Sequence, residues 1–189
     1  MRRRDEGLES SGRNASEKKE GKAGRLVERL LSWKEDLGAL AALRRGWGKE
    51  PGTAPEMFPY VASFDDSRWE GEVVYIVAGL FGMWPQHDPS SGSFGASMRR
   101  LVEPEEDVQG TSVEKRFLSL LDADAGELYQ ALPRMVGLLK AKEVPLNYLL
   151  LTQHLFHWKD AGIHNVRRRW AVDFWRRPFT RSVETTKED

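Results

Sequence analysis

The spacing of apolar residues along this chain is typical of helices. Between residues 25 and 46 apolar side chains recur every three or four positions, and Gly46 supplies a stop signal. This pattern predicts one helix whose buried stripe is Leu26, Leu30, Trp33, Leu37 and Ala41. Residues 73–84 are continuously apolar or small and lie between a capping box at Ser67 and the helix-stopping Pro85, so we expect a buried helix there.

Capping residues, glycines and prolines mark the ends of several further helices. They predict helices over residues 94–102, 111–121, 124–142, 145–160 and 163–177. Pro133 lies inside one of them, where an interior proline costs about 3 kcal/mol, so we expect a kink or a break. No segment has the pattern of a strand. Six to eight helices with short connections indicate an all-α fold of two small packed helical bundles.

The two ends of the chain and one acidic stretch set the predicted domain boundaries. Residues 1–23 and 179–189 carry few large apolar side chains, and we expect both to be disordered tails. Residues 104–110 are acidic and loop-like. They separate a predicted N-terminal helical half, residues 24–103, from a C-terminal helical half, residues 111–178.

Composition excludes several classes of site. The chain has 189 residues, 40% of them hydrophobic and none of them cysteine, which excludes disulfides, thiolate metal sites and a cysteine nucleophile. The apolar stretch at 73–84 is too short for a membrane span of about 20 residues. We therefore expect a cytoplasmic protein with no membrane partner. The chain has no glycine-rich phosphate loop and no serine elbow, so we predict no catalytic residues and no cofactor.

Two histidines and a carboxylate offer one alternative with chemistry. His154, His157 and Asp160 are spaced three residues apart, with His164 beyond them, so helical geometry brings the first two close together. A metal-dependent hydrolase with a two-histidine, one-carboxylate site is conceivable. Large apolar side chains crowd the same helix, which favours packed histidines, and we predict no metal site.

Charge is balanced in total but uneven along the chain. The net charge is zero, yet residues 163–181 hold six arginines against one acidic residue. On the last predicted helix Ile163, Val166, Trp170 and Phe174 form the buried stripe, with Arg168 opposite and Trp175 near the outer face. These residues form either a solvated face or a surface that holds phosphates and stacks bases. A helix-turn-helix regulator that reads DNA with this helix is a further alternative.

Arg44 sits where an apolar residue is expected. It follows Leu26 by eighteen residues, five helical turns, and so continues the apolar stripe of the first predicted helix. The C-terminal end of that helix favours the charge, and a phosphate could meet it as well, since the two explanations are compatible.

Short fragments stand in a recognisable order along residues 25–177. They read LRRG at 43–46, SFG at 93–95, MRRL at 98–101, VEKRF at 113–117, VGLLK at 136–140, LFHW at 155–158, and VRRRWA with FW at 166–175. This order resembles the CasB family, the small subunits of the type I-E CRISPR surveillance complex Cascade.

The resemblance implies an all-helical protein without enzymatic activity. Its implied partners are guide RNA, the target or displaced DNA strand, other Cascade subunits and a second copy of itself. It implies that basic residues hold nucleic-acid backbone without reading sequence and so stabilise the R-loop, in keeping with the general logic of guide complexes. By position, the nucleic-acid-binding residues would be Arg44, Arg45, Arg99, Arg100, Lys115, Arg116, Arg134, Arg167, Arg168 and Arg169.

Overall fold

A computed structural model describes residues 5–66, 68–162 and 165–176 of the chain. This part is helical and contains no strand, which confirms the all-α class; one isolated parallel bridge joins His87 to Leu146. The α-helices in the described ranges are α1 (Asp5–Ser32), α2 (Leu37–Arg44), α3 (Phe58–Val61), α4 (Arg68–Met83), α5 (Phe94–Arg99), α6 (Ser112–Asp122), α7 (Leu128–Ala141), α8 (Tyr148–Phe156) and α9 (Val166–Trp175).

The single helix predicted over residues 25–46 is two helices. A turn at 33–35 separates α1 from α2, and Asp36 caps α2 by accepting a 2.9 Å hydrogen bond from the Ala39 backbone N–H. Leu37 is 82% exposed at the start of α2, so its predicted place in the buried stripe is wrong. Asp36 is a favourable N-cap residue, so a new helix begins there although the apolar spacing alone predicts that the first helix continues.

Helix α1 also starts earlier than the polar composition suggested. It runs from Asp5, so much of the stretch expected to be a disordered tail is helical. Its polar turns are held by charged contacts: Lys19 Nζ donates to the Phe156 carbonyl at 3.1 Å, and Lys22, only 6% exposed, pairs with Asp66. Helix α1 therefore has tertiary contacts on the N-terminal side of residue 24, at Lys19 and Lys22. The predicted tail at 179–189 lies outside the described residues.

Capping residues position the helices of the second half much as the sequence indicates. Thr111 Oγ1 accepts from the Glu114 N–H at 3.1 Å at the start of α6, and Asn147 Oδ1 accepts from the Leu150 N–H at 3.0 Å at the start of α8. Helix α7 runs continuously across Pro133, so the alternative of a break there is wrong.

Helices from both predicted halves pack into one hydrophobic core. Helix α5 crosses α9 so closely that Gly95 lies against the Trp170 backbone. Two tryptophans of the first half donate hydrogen bonds to the second, Trp69 Nε1 to the Leu155 carbonyl and Trp84 Nε1 to the Val144 carbonyl, both at 2.8 Å. These contacts place α5 against α9 and hold α4 to α8 and to the loop that precedes it. Within the described residues no helix has the length and apolar character needed to cross a bilayer.

Candidate nucleic-acid interface

Two of the predicted basic residues come together on the surface of the second half. Arg116 on α6 and Arg134 on α7 line the same open groove, which has a volume of about 420 Å³. Both side chains are exposed, and neither forms an ion pair with any carboxylate in the described part of the chain. The apolar side chains of Leu120 and Met135 line the groove between them. This arrangement leaves two guanidinium groups available to an anionic ligand.

Arg134 also lines a second, adjoining hollow of about 520 Å³. Trp47 lies on its far side, in the loop that follows α2, and the absence of a side chain at Gly137 helps to keep the α7 side open. Trp47 is half-buried and contributes to the wall of this hollow. We call the two hollows together, from Arg116 past Arg134 to Trp47, the basic groove.

Further cations gather where α4 ends, close to this groove. Arg44 Nε donates to the Gly82 carbonyl at 3.2 Å, so the charge lies at the negative end of the α4 dipole. Lys140, which the sequence analysis did not select, lies 3.4 Å through Nζ from Met83 Sδ. It follows Pro133 by two helical turns and therefore shares its face of α7, a spacing that could have identified it. Arg45 caps the C-terminus of α2 and is exposed.

Two predicted site residues, Arg99 and Arg167, donate hydrogen bonds to backbone carbonyls. The Arg99 guanidinium donates to the carbonyls of Val102 at 2.9 Å and Glu103 at 3.3 Å, and also to those of Pro104 and Glu106. It is the centre around which the acidic loop after α5 folds.

Arg167 is engaged in the same way. Its Nε donates to the Leu121 carbonyl at 2.9 Å, its Nη2 donates to the Ala123 carbonyl at 3.0 Å, and its guanidinium lies 4.6 Å over the Trp158 ring. This contact set ties α9 to the end of α6 and engages the Nε and Nη2 donors of the guanidinium.

The remaining predicted cations are exposed but lie outside the basic groove as defined above. Arg100 donates to Ser91 Oγ at 3.4 Å, and Lys115 and Arg168 are exposed on α6 and α9. Arg169 lines a separate cavity between α1, α8 and α9. Of the ten predicted basic residues, Arg116 and Arg134 line the basic groove.

Trp175 is partly buried and has several contacts within the protein. Its indole Nε1 donates to Glu114 Oε1 at 3.0 Å, and its ring packs against Phe117 and Phe174. The contacts favour the packing interpretation of this residue, and the hypothesis of a base stacked beside Arg168 stays a prediction.

The histidines of the metal hypothesis have other roles. His154 is 5% exposed, its Nδ1 accepts a 2.8 Å hydrogen bond from Trp170 Nε1, and burial together with the nearby Arg169 lowers its pKa to about 4. His157 Nδ1 lies 2.7 Å from Asp160 Oδ2. The described residues bring no three histidine or acidic side chains together in a metal-binding arrangement. His164 lies outside those residues.

Comparisons with known proteins agree on one family. The family model for CRISPR-associated protein Cse2 matches residues 39–175. The chain is similar to a CRISPR-associated protein Cse2 from Thermus thermophilus, with 32% identity over 160 residues that cover 78% of this chain and 89% of that protein.

Solved structures share the fold. A crystal structure of a Cse2-family protein from Thermus thermophilus is 29% identical and superposes with a TM-score of 0.68 over 81% of this chain and 97% of that chain. A chain in a structure described as a CRISPR RNA-guided surveillance complex has the same TM-score of 0.68 at 24% identity, covering 82% of this chain and 92% of that chain. The predicted resemblance to CasB is confirmed, and the chain belongs to the CRISPR-associated Cse2 family.

Proposed function

We propose that this chain is the small subunit of a CRISPR RNA-guided surveillance complex and that its basic groove holds nucleic-acid backbone without reading sequence. The observation that carries the proposal is the pairing of Arg116 and Arg134 on one open groove, with no ion-pair partner in the described part of the chain. Family membership and the surveillance-complex structure of the same fold support the setting.

The mechanism is electrostatic. The phosphates of a displaced DNA strand repel those of the neighbouring strands, and the strand re-anneals readily with its complement. Cations along a groove therefore lower the free energy of the open R-loop. Arginine suits this task because its planar guanidinium donates two hydrogen bonds to one phosphate. Trp47, at the far side of the second hollow, adds a partly exposed ring on which an unpaired base can stack. Base pairing with the guide supplies the sequence specificity, and this chain takes no catalytic step.

Neither alternative function gains an observation in its favour. A metal-dependent hydrolase needs a ligand set that the described residues do not assemble. A helix-turn-helix regulator would present α9 to the major groove, yet Arg167 on that helix is engaged with the carbonyls of Leu121 and Ala123. The family assignment favours the surveillance-complex role over both.

The test is binding of single-stranded DNA by the full chain with Arg116→Gln and Arg134→Gln combined. Because each arginine meets one phosphate, the double variant should weaken binding to unrelated sequences equally. It should also reduce the log–log salt slope by about 1.4, at about 0.7 per single-strand phosphate. The measurement is fluorescence anisotropy over a salt series, repeated in the assembled complex with guide RNA.

A matched control removes the same charge elsewhere. Lys18→Gln with Arg25→Gln changes two exposed cations of α1, which does not line the basic groove. This control should keep the slope of the unaltered chain. Equal losses of affinity in both double variants would indicate that binding depends on total charge and not on the basic groove, which would contradict the proposal. A loss of affinity confined to one DNA sequence would contradict it as well.

A further inference from the structure

A second cavity, separate from the basic groove, lies between α1, α8 and α9. Its volume is about 170 Å³, and its walls include Glu20, Gln153, His154, Asn165 and Arg169. A pocket for a drug-sized molecule has roughly 300 Å³ or more. This cavity therefore suits a small ion or a single functional group of a larger ligand.

The protonation of His154 follows from its contact with Trp170. An indole N–H can only donate, so Nδ1 of His154 must be the acceptor in their 2.8 Å hydrogen bond. The imidazole is neutral near pH 7, because burial and Arg169 lower its pKa to about 4. The single remaining proton of the neutral ring must then be on Nε2.

That N–H donor has no acceptor among the described residues. Nε2 of His154 is buried, and no hydrogen-bond partner in the described part of the chain reaches it. A buried donor without an acceptor is costly and rare in folded proteins. Because His154 lines the cavity, an acceptor seated in the cavity could satisfy it.

Two further features favour an anion as that acceptor. Arg169 lines the same cavity and forms no ion pair with the carboxylates of the described residues. Asn165 and Val166, at the N-terminus of the ten-residue helix α9, line it as well, and the positive end of a helix dipole attracts anions. The opposing charges are Glu20 in the wall and Asp173 nearby, whose carboxylate accepts from Ser93 Oγ at 2.6 Å.

From this arrangement we infer that the α1–α8–α9 cavity is an oxyanion site that binds a phosphate group through His154 Nε2–H, the Arg169 guanidinium and the N-terminus of α9. The cavity accommodates one phosphate, whether a free ion, a terminal monoester or one diester of a nucleic-acid backbone. The inference does not depend on the basic groove, since inorganic phosphate alone can fill the site.

The experiment follows the His154 ring directly in the uniformly ¹⁵N-labelled full chain. Long-range ¹H–¹⁵N spectra report the Nε2 proton while inorganic phosphate is titrated at constant ionic strength. Phosphate should shift the His154 signal saturably. Arg169→Gln should raise the apparent Kd about tenfold, because a charge-assisted hydrogen bond is lost. Arg168→Gln removes the same charge one residue away, outside the cavity, and should change the Kd less than about twofold.

Two further variants separate the anion site from its competitors. His154→Asn removes the Nε2 donor, keeps an acceptor for the Trp170 N–H, and should weaken phosphate binding as measured by calorimetry. Glu20→Gln removes a like charge and should tighten it. The inference is overturned if phosphate leaves the His154 signal unmoved, which would show that water or Glu20 satisfies the donor. Equal losses in the Arg168 and Arg169 variants would overturn it as well.

Competition identifies the source of the phosphate. Displacement of bound phosphate by an unphosphorylated oligothymidylate assigns the site to the backbone. Displacement only by the 5′-phosphorylated oligomer assigns it to a strand end, and no displacement assigns it to the free ion. The Arg116→Gln, Arg134→Gln double variant should bind inorganic phosphate normally, so failure of the basic groove and failure of this site are distinguishable.

Discussion

The buried His154 makes stability depend on pH in a defined window. Its pKa is about 4 in the folded chain against 6.5 when unperturbed, so between these values the unfolded chain binds more protons. The contribution of His154 to the free energy of unfolding is therefore fully present above pH 6.5. It is lost as the pH decreases toward 4, which lowers the free energy of unfolding by about 3 kcal/mol. Urea unfolding at a series of pH values measures the effect. His154→Asn, which cannot titrate, should flatten this part of the curve.

A second histidine, the partly buried His87, provides the control for that experiment. Burial also lowers the pKa of His87, so it adds to the pH dependence of both proteins. The His154→Asn substitution should therefore change the pH dependence of stability by the same amount in the His87→Gln background as in the unaltered chain. If His154→Asn left the slope between pH 4 and 6.5 unchanged, the assignment of a neutral, buried His154 would be refuted.

Neighbouring arginines on α9 should differ sharply in their effect on stability. Arg167→Ala removes the donors to the Leu121 and Ala123 carbonyls and the contact with the Trp158 ring. We expect it to lower the free energy of unfolding by about 2 kcal/mol. Arg168→Ala, on the exposed face, should change it by less than about 0.5 kcal/mol. Chemical denaturation compares the two. Similar values would mean that the carbonyl contacts of Arg167 carry little weight in solution.

At the scale of helices, the crossing of α5 and α9 depends on one glycine. A Cβ atom added at Gly95 would lie 2.0 Å from the Trp170 carbonyl oxygen, a backbone atom that cannot move alone. Gly95→Ala should therefore force the helices apart and destabilise the chain by about 3 kcal/mol or more. Gly137→Ala in α7 is the matched control. A Cβ there meets nothing within 4 Å, so its helix propensity should add about 0.5–1 kcal/mol. Thermal unfolding distinguishes the two variants, because Gly95→Ala should lower the melting temperature and Gly137→Ala should raise it.

Helix type and order could be predicted from local signals, and helix ends less well. Thr111 caps a helix where the sequence places a helix start, whereas Asn147 caps α8, which begins three residues after the predicted start at residue 145. The break between α1 and α2 was missed because Leu37 fits the apolar period, while Asp36 competes by capping a new helix. The start of α1 was missed for another reason: its stabilisation comes from tertiary contacts of Lys19 and Lys22, which composition does not show.

The candidate site could be predicted only as a set of residue types. Arg116 and Arg134 belong to different helices, and only the packing of α6 on α7 brings them to one groove. Equally basic residues, Arg99 and Arg167, donate to backbone carbonyls. Charge patterns do not reveal this difference, because a guanidinium that holds a loop and one that lies exposed in a groove look alike in sequence.

At the scale of the whole molecule, the contacts across residues 104–110 predict a single unfolding unit. Trp69 and Trp84 donate to carbonyls of the second half, and Phe94 packs on Trp170 with ring centroids 4.9 Å apart. A fragment of residues 24–103 would expose these surfaces and leave the donors unpaired, so it should not fold alone. We expect the full chain to unfold in one transition, with coincident urea curves from far-ultraviolet circular dichroism and tryptophan fluorescence. Tryptophans lie in both halves, so separate transitions would be visible. Two transitions, or a folded fragment, would show that the predicted halves are independent domains and that the shared core contributes little to their stability.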